Sequence, residues 1–134
     1  MKNSTRLCIV VASSLAAAVP ALAHHAFSAE FDIEKPIRLV GTVTNVEWAN
    51  PHTWFYLDVA GENGAVSSWG LELASPNLLM RNGWTRDSMK VGDVITVEGY
   101  QAKNGQNIGN ARNIVVNSTG KSLFTGTSAP RTAQ

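Results

Sequence analysis

The sequence predicts a mainly β domain, a five-stranded OB-like Greek-key barrel with one short helix between strands three and four. Three observations predict it. After residue 36 the chain holds five short runs rich in β-branched and aromatic residues. The apolar period changes once, at Ser75-Pro76, between the third and fourth runs. Gly41 interrupts the first and longest run, where a small barrel turns a corner. Another small β-barrel or a sandwich fragment is the competing architecture.

Residues 1–23 read as a secretory signal peptide. Lys2 and Arg6 supply a basic start, Leu7 to Val19 is uncharged and mostly apolar or small, and Ala21-Leu22-Ala23 offers an A-x-A cleavage site. The apolar run falls short of the roughly 20 residues a spanning helix needs. Cleavage after Ala23 removes Cys8, the single cysteine, so the mature domain would fold without a disulfide. Its size suits one apolar core. Losing Lys2 and Arg6 from 11 basic residues leaves 9 against 10 acidic ones, a formal charge near −1. A nucleic-acid partner, which calls for concentrated Lys and Arg, is excluded on that balance. With no second long apolar run, no stable membrane insertion is expected after cleavage, and the location implied is the periplasm or the exterior.

Residues 24–36 form a leader arm in which Phe27 and Phe31 could share a helical turn or pin an extended segment, and Pro36 favours extended backbone before it. Ile37 to Trp48 is the first strand. Asn50-Pro51 breaks it. Thr53 to Ala60 is the second, with Thr53, Phe55, Leu57 and Val59 on one face and Trp54, Tyr56 and Asp58 on the other. Gly61 to Gly64 is a turn. Ala65 to Leu73 is the third strand, grouping Trp69, Leu71 and Leu73 opposite Gly70 and Glu72. Ser75 then caps a helix of about two turns that starts at Pro76 and stops at Gly83. Val94 to Tyr100 and Ala111 to Val116 are strands four and five, joined by a polar, glycine-rich hairpin over 101–110. The barrel domain thus runs over 37–116, and 117–134 reads as a flexible tail. Four tryptophans, 48, 54, 69 and 84, are candidates to fill the core; one buried aromatic is worth about 4–6 kcal/mol by area.

Three sets of residues could carry chemistry. His24 and His25 would stand at the mature terminus with a free α-amine, and His52, the third histidine, lies in a turn after Asn50-Pro51. Amine and imidazole nitrogens together suit Cu²⁺, and less selectively Zn²⁺ or Ni²⁺. Glu47 and Glu72 could orient His52 or complete a metal shell, although alternating strand positions more often leave such groups solvated. Trp48, Trp54, Tyr56 and Arg81 could bind a small solute, a glycan or a protein, the competing role for the aromatics being core packing. The 105–110 segment lacks the Lys-Ser/Thr of a phosphate-binding loop.

The wording HHAFSAEFD, PIRLVGTVTNVEWANPHTWFYLDV, WGLELASPNLLMRNGW and GDVITVEGYQAKNG resembles DUF6152, a family of small exported bacterial proteins of unknown function. The resemblance spans about residues 24–116 and implies a periplasmic OB-like domain from a Gram-negative bacterium, without implying a ligand. The function expected is a periplasmic, non-enzymatic binding module for a transition metal such as copper or zinc. The alternatives are a barrel that binds a small solute or periplasmic protein through surface aromatics, and a copper-dependent or hydrolytic enzyme built on His52 with Glu47 or Glu72. The sequence carries no HExxH, no cysteine nucleophile in the mature chain and no cofactor fingerprint.

Overall fold

The computed structural model describes residues 27–126. The signal-peptide reading of 1–23, the pair His24 and His25, and the end of the tail at 127–134 lie outside the described residues. The chain divides into two compact units, Met1–Glu30 and Phe31–Gln134. Of the first, residues 27–30 are helical.

Among its described residues the second unit is a six-stranded sheet with one helix. Its elements are β1 (Phe31–Glu47), β2 (Trp54–Ala60), β3 (Val66–Glu72), α1 (Pro76–Arg81), β4 (Val94–Ala102), β5 (Ile108–Val116) and β6 (Lys121–Leu123). The strand order is β3-β2-β1-β4-β5-β6, with an added parallel contact between β3 and β5. β1 is long enough to serve two partners. Phe31 to Thr42 pairs with β4, and Thr42 to Glu47 pairs with β2. Gly41 sits at this changeover, where a Cβ would stand 2.7 Å from the carbonyl oxygen of Asp58, so only glycine lets β2 come this close.

This arrangement corrects the expected five-stranded OB-like barrel. The fold is mixed α/β on six strands, and the outer edge of β5 explains why. Residues 108–110 on that edge pair with Gly70–Glu72 of β3, and residues 114–116 pair with β6. A strand edge offers one row of donors and acceptors. Because β3 ends at Glu72 and β5 starts at Ile108, the two share three residue pairs rather than a full ladder, β6 takes the edge beyond, and the sheet is not a closed five-stranded barrel. The β-barrel and OB-fold descriptions fall together. The sixth strand lies in the segment read as a flexible tail, and β1 starts at Phe31, inside the segment read as a leader arm.

The core follows from alternation. Phe55 and Leu57 of β2, Leu71 of β3, Val43 of β1, Ile95 and Val97 of β4 and Ile114 of β5 point to one side and are almost wholly buried. Leu79 brings α1 into this cluster. The helix starts where the sequence placed it, with the Ser75 hydroxyl accepting from the Leu78 N–H at 3.4 Å and proline in its first turn. The opposite side of β2 and β3 is left to Trp54, Tyr56, Asp58, Ser68, Gly70 and Glu72.

Candidate functional site

Strand register brings the outward residues of four strands into two rungs. Glu47 of β1 pairs with Trp54 of β2, Trp54 with Glu72 of β3, and Glu72 with Asn110 of β5. In the next rung Asn45 pairs with Tyr56, Tyr56 with Gly70, and Gly70 with Ile108. The rungs stand side by side, so Trp54 and Tyr56 are neighbours on one face, bounded by a carboxylate on each side of Trp54.

Over this face lies a groove of ≈ 520 Å³ lined by Glu47, Trp54, Tyr56, Ser68, Trp69, Gly70, Asn107 and Ile108. Gly70 makes it possible. A Cβ there would meet Tyr56 Cε1 at 3.3 Å and Trp54 Cε3 at 4.0 Å, so both rings converge over a position with no side chain. An aromatic ring packed on a strand glycine covers backbone that would otherwise meet water. The Gly70 N–H donates to the Asn107 carbonyl at 3.0 Å, which fixes the end of the 103–107 turn against β3. Glu47 forms the rim. Its carboxylate accepts from Asn45 Nδ2 at 3.2 Å and from the Tyr56 hydroxyl at 3.4 Å. Burial, and then the charge of Glu47 and its hydrogen bond, raise the Tyr56 pKa above the usual phenol value of 10.

Beside the groove is a polar seam. Glu72, 6% exposed, pairs with His52 Nδ1 through one carboxylate oxygen and accepts from Asn110 Nδ2 at 3.1 Å with the other. Asn110 is also buried, and its Oδ1 has no hydrogen-bond partner among the described residues. His52 stands half outside, on the loop that contains the cis Asn50–Pro51 peptide. The Arg112 guanidinium lies 5.5 Å from the centre of the Tyr100 ring. Burial lowers its pKa, and the charges of Tyr100 and Glu72 oppose that shift.

The sequence-derived candidates are therefore split. His52 and Glu72 come together, and Glu47 meets Tyr56 instead of His52. Trp54 and Tyr56 share the groove. Trp48 does not join them: its ring meets Trp84 edge-on, centroids 6.1 Å apart, with the Arg86 guanidinium 5.6 Å from its centre. Arg81 is an exposed residue at the end of α1. Among the described residues no group of three or more His, Cys, Asp and Glu side chains could hold a metal ion, and no helix is long and apolar enough to cross a membrane. Sequence reading missed Gly70, Ile108 and Asn110. Gly70 had one signal, its place opposite the core-facing residues of an aromatic-rich strand. The other two depend on a parallel contact that no local pattern announces.

The model of a family described as a family of unknown function, DUF6152, matches residues 11–112, and the chain belongs to that family. No curated protein and no solved structure matches it.

Proposed function

We propose that this DUF6152 member is an exported, non-enzymatic binding module that takes a small solute in the groove over Gly70. One observation carries the reading: two aromatic rings, Trp54 and Tyr56, converge over a glycine to wall a concave space of ≈ 520 Å³. Ligand sites are commonly concave, aromatic-lined spaces of roughly 300–1,000 Å³ with a few placed polar groups. Here Glu47, Ser68 and Asn107 supply those groups. The aromatic arm of the sequence reading is thereby narrowed to Trp54 and Tyr56, without Trp48 and Arg81. Export rests on the basic start, the apolar run and the Ala21-Leu22-Ala23 site, and the mature N-terminus read by mass spectrometry tests it.

The binding test is a screen of amines, carboxylates, sugars and aromatics by saturation-transfer NMR, run on the native protein and on Gly70→Leu. Leucine at 70 has no room beneath the rings, where a Cβ alone meets Tyr56 at 3.3 Å, and pushes them out of the groove wall. Hits that disappear in Gly70→Leu, with its circular dichroism unchanged, support the reading. A screen with no Gly70-dependent hit rejects it.

A metal is the second reading, favoured by the His52–Glu72 pair. A carboxylate on Nδ1 is the usual partner of a histidine that ligates through Nε2. Calorimetry of the processed protein with Cu²⁺ tests it. Affinity unchanged after replacing His24, His25 and His52 together rejects it.

A further inference from the structure

We propose that the ligand of the groove is a small organic ammonium ion, held by cation–π contact with Trp54 and Tyr56 and by the Glu47 carboxylate. The proposal rests on the groove being a binding site and names the class of solute it selects. Three observations carry it. First, none of the eight lining residues is Lys, Arg or His, so nothing in the wall competes for a cation or attracts an anion. Second, Glu47 is exposed at the rim and its partners, Asn45 and Tyr56, are both neutral, so among the described residues no cation cancels its charge. Third, the next outward residue of β2 is again a carboxylate, Asp58, whose partner is the Ser68 hydroxyl at 2.8 Å.

The charged groups facing this region from the neighbouring strands do not reverse its sign. His52 is held at Glu72, and Arg112 lies over the Tyr100 ring. Aromatic faces are the negative ends of ring quadrupoles, and they favour a cation whose charge is spread over alkyl groups and is cheap to desolvate. An N-methylated ammonium fits that demand better than ammonium itself, because the wall offers apolar ring and Ile108 surface with a single carboxylate. The groove is larger than a trimethylammonium head, which leaves room for the carbon skeleton that carries it.

The test pairs choline with 3,3-dimethylbutan-1-ol, its neutral isostere, in calorimetric titrations of the purified protein, its Glu47→Gln variant and its Gly70→Leu variant. Choline is expected to bind on the order of tenfold more tightly than the isostere. Glu47→Gln should bring the two within about threefold, and Gly70→Leu should abolish both. Equal affinity for choline and the isostere overturns the cation assignment and leaves the groove as a solute site. Choline selectivity that is unchanged by Glu47→Gln, or choline binding that survives Gly70→Leu, places the cation elsewhere and also overturns it. Absence of choline binding in a protein that retains neutral or anionic hits from the NMR screen does the same.

Discussion

The tryptophans make two pairs that behave differently. Trp84 is 5% exposed, belongs to the core and donates its indole N–H to the Phe124 carbonyl at 2.6 Å, while Trp48 packs edge-on against it. Trp69 rests partly on the core, and Trp54 stands half-buried on the outer face, both at the groove. A buried tryptophan needs an acceptor for its N–H, and Trp84 has one. The first pair closes a core corner between the end of β1 and the loop after α1. In the second, Trp54 lies over a glycine that has no side chain to hold the ring away from the strand. The same residue type therefore serves packing and a concave surface at one end of the β1–β2 pair, and what separates the roles is the neighbour: a backbone carbonyl and core side chains for Trp84, Gly70 for Trp54.

The largest expected effect is on the packed pair. Trp84→Ala should lose about 3–5 kcal/mol in urea unfolding, from an unfilled cavity and an orphaned carbonyl. Trp54→Ala should lose only about 1 kcal/mol while removing solute binding. Equal losses in the two variants would erase the distinction. The next effect concerns the polar seam beside Trp54. Glu72→Ala leaves the buried Asn110 amide without its acceptor and should cost about 1–3 kcal/mol by the same measurement, more than Trp54→Ala is expected to cost. A neutral result there would mean that the outer face contributes no stability next to the groove.

Much of this contrast was legible locally. Alternation in 53–60 put Phe55 and Leu57 on one face and Trp54 and Tyr56 on the other, and the burial of β2 and its register with β3 turn the first face inward. Ser75-Pro76 marked the helix start to the residue. What failed was long-range. Five strands and a helix in that order suggested a closed barrel, but closure depends on how far β3 runs along the edge of β5, and β3 ends after three pairs. Three residues, Lys121 to Leu123, too short and too polar to read as a strand, take part of that edge. The site was half legible for the same reason. His52 and Glu72 meet because β3 returns beside β2, which alternation and turns foretell. Asn110 and Ile108 reach the site through the parallel β3–β5 contact, to which local periodicity is blind. Grouping all four tryptophans as core candidates holds for Trp84 and, at the core's edge, for Trp48 and Trp69, and fails at Trp54, whose ring lies over Gly70 on the other face.

A smaller effect sharpens the packed side. Arg86 lies over Trp48 at an exposed position, where a cation–π contact contributes about 0.5–1 kcal/mol. Arg86→Ala should therefore lower stability by no more than that in urea unfolding. Solute binding at the groove, which Arg86 does not line, should stay unchanged. A change in binding would tie the two pairs together and break the comparison from the other direction.

The smallest effect is spectroscopic and belongs to the groove. The chain has two tyrosines, so Tyr100→Phe leaves Tyr56 as the single phenol while keeping a ring beneath Arg112. In that background the phenolate absorbance should rise above pH 10, because burial first and the Glu47 charge second disfavour the anion. Adding Glu47→Gln removes the charge and keeps the burial, so the midpoint should fall toward 10 without reaching it. The sign for stability follows. A proton held more tightly in the folded state gives a contribution that is complete below pH 10 and is lost as pH rises through the folded-state value. Glu47→Gln should flatten that alkaline loss. A midpoint that does not move on Glu47→Gln would separate the hydroxyl from the carboxylate, and with it the rim charge from the rings that it is proposed to serve.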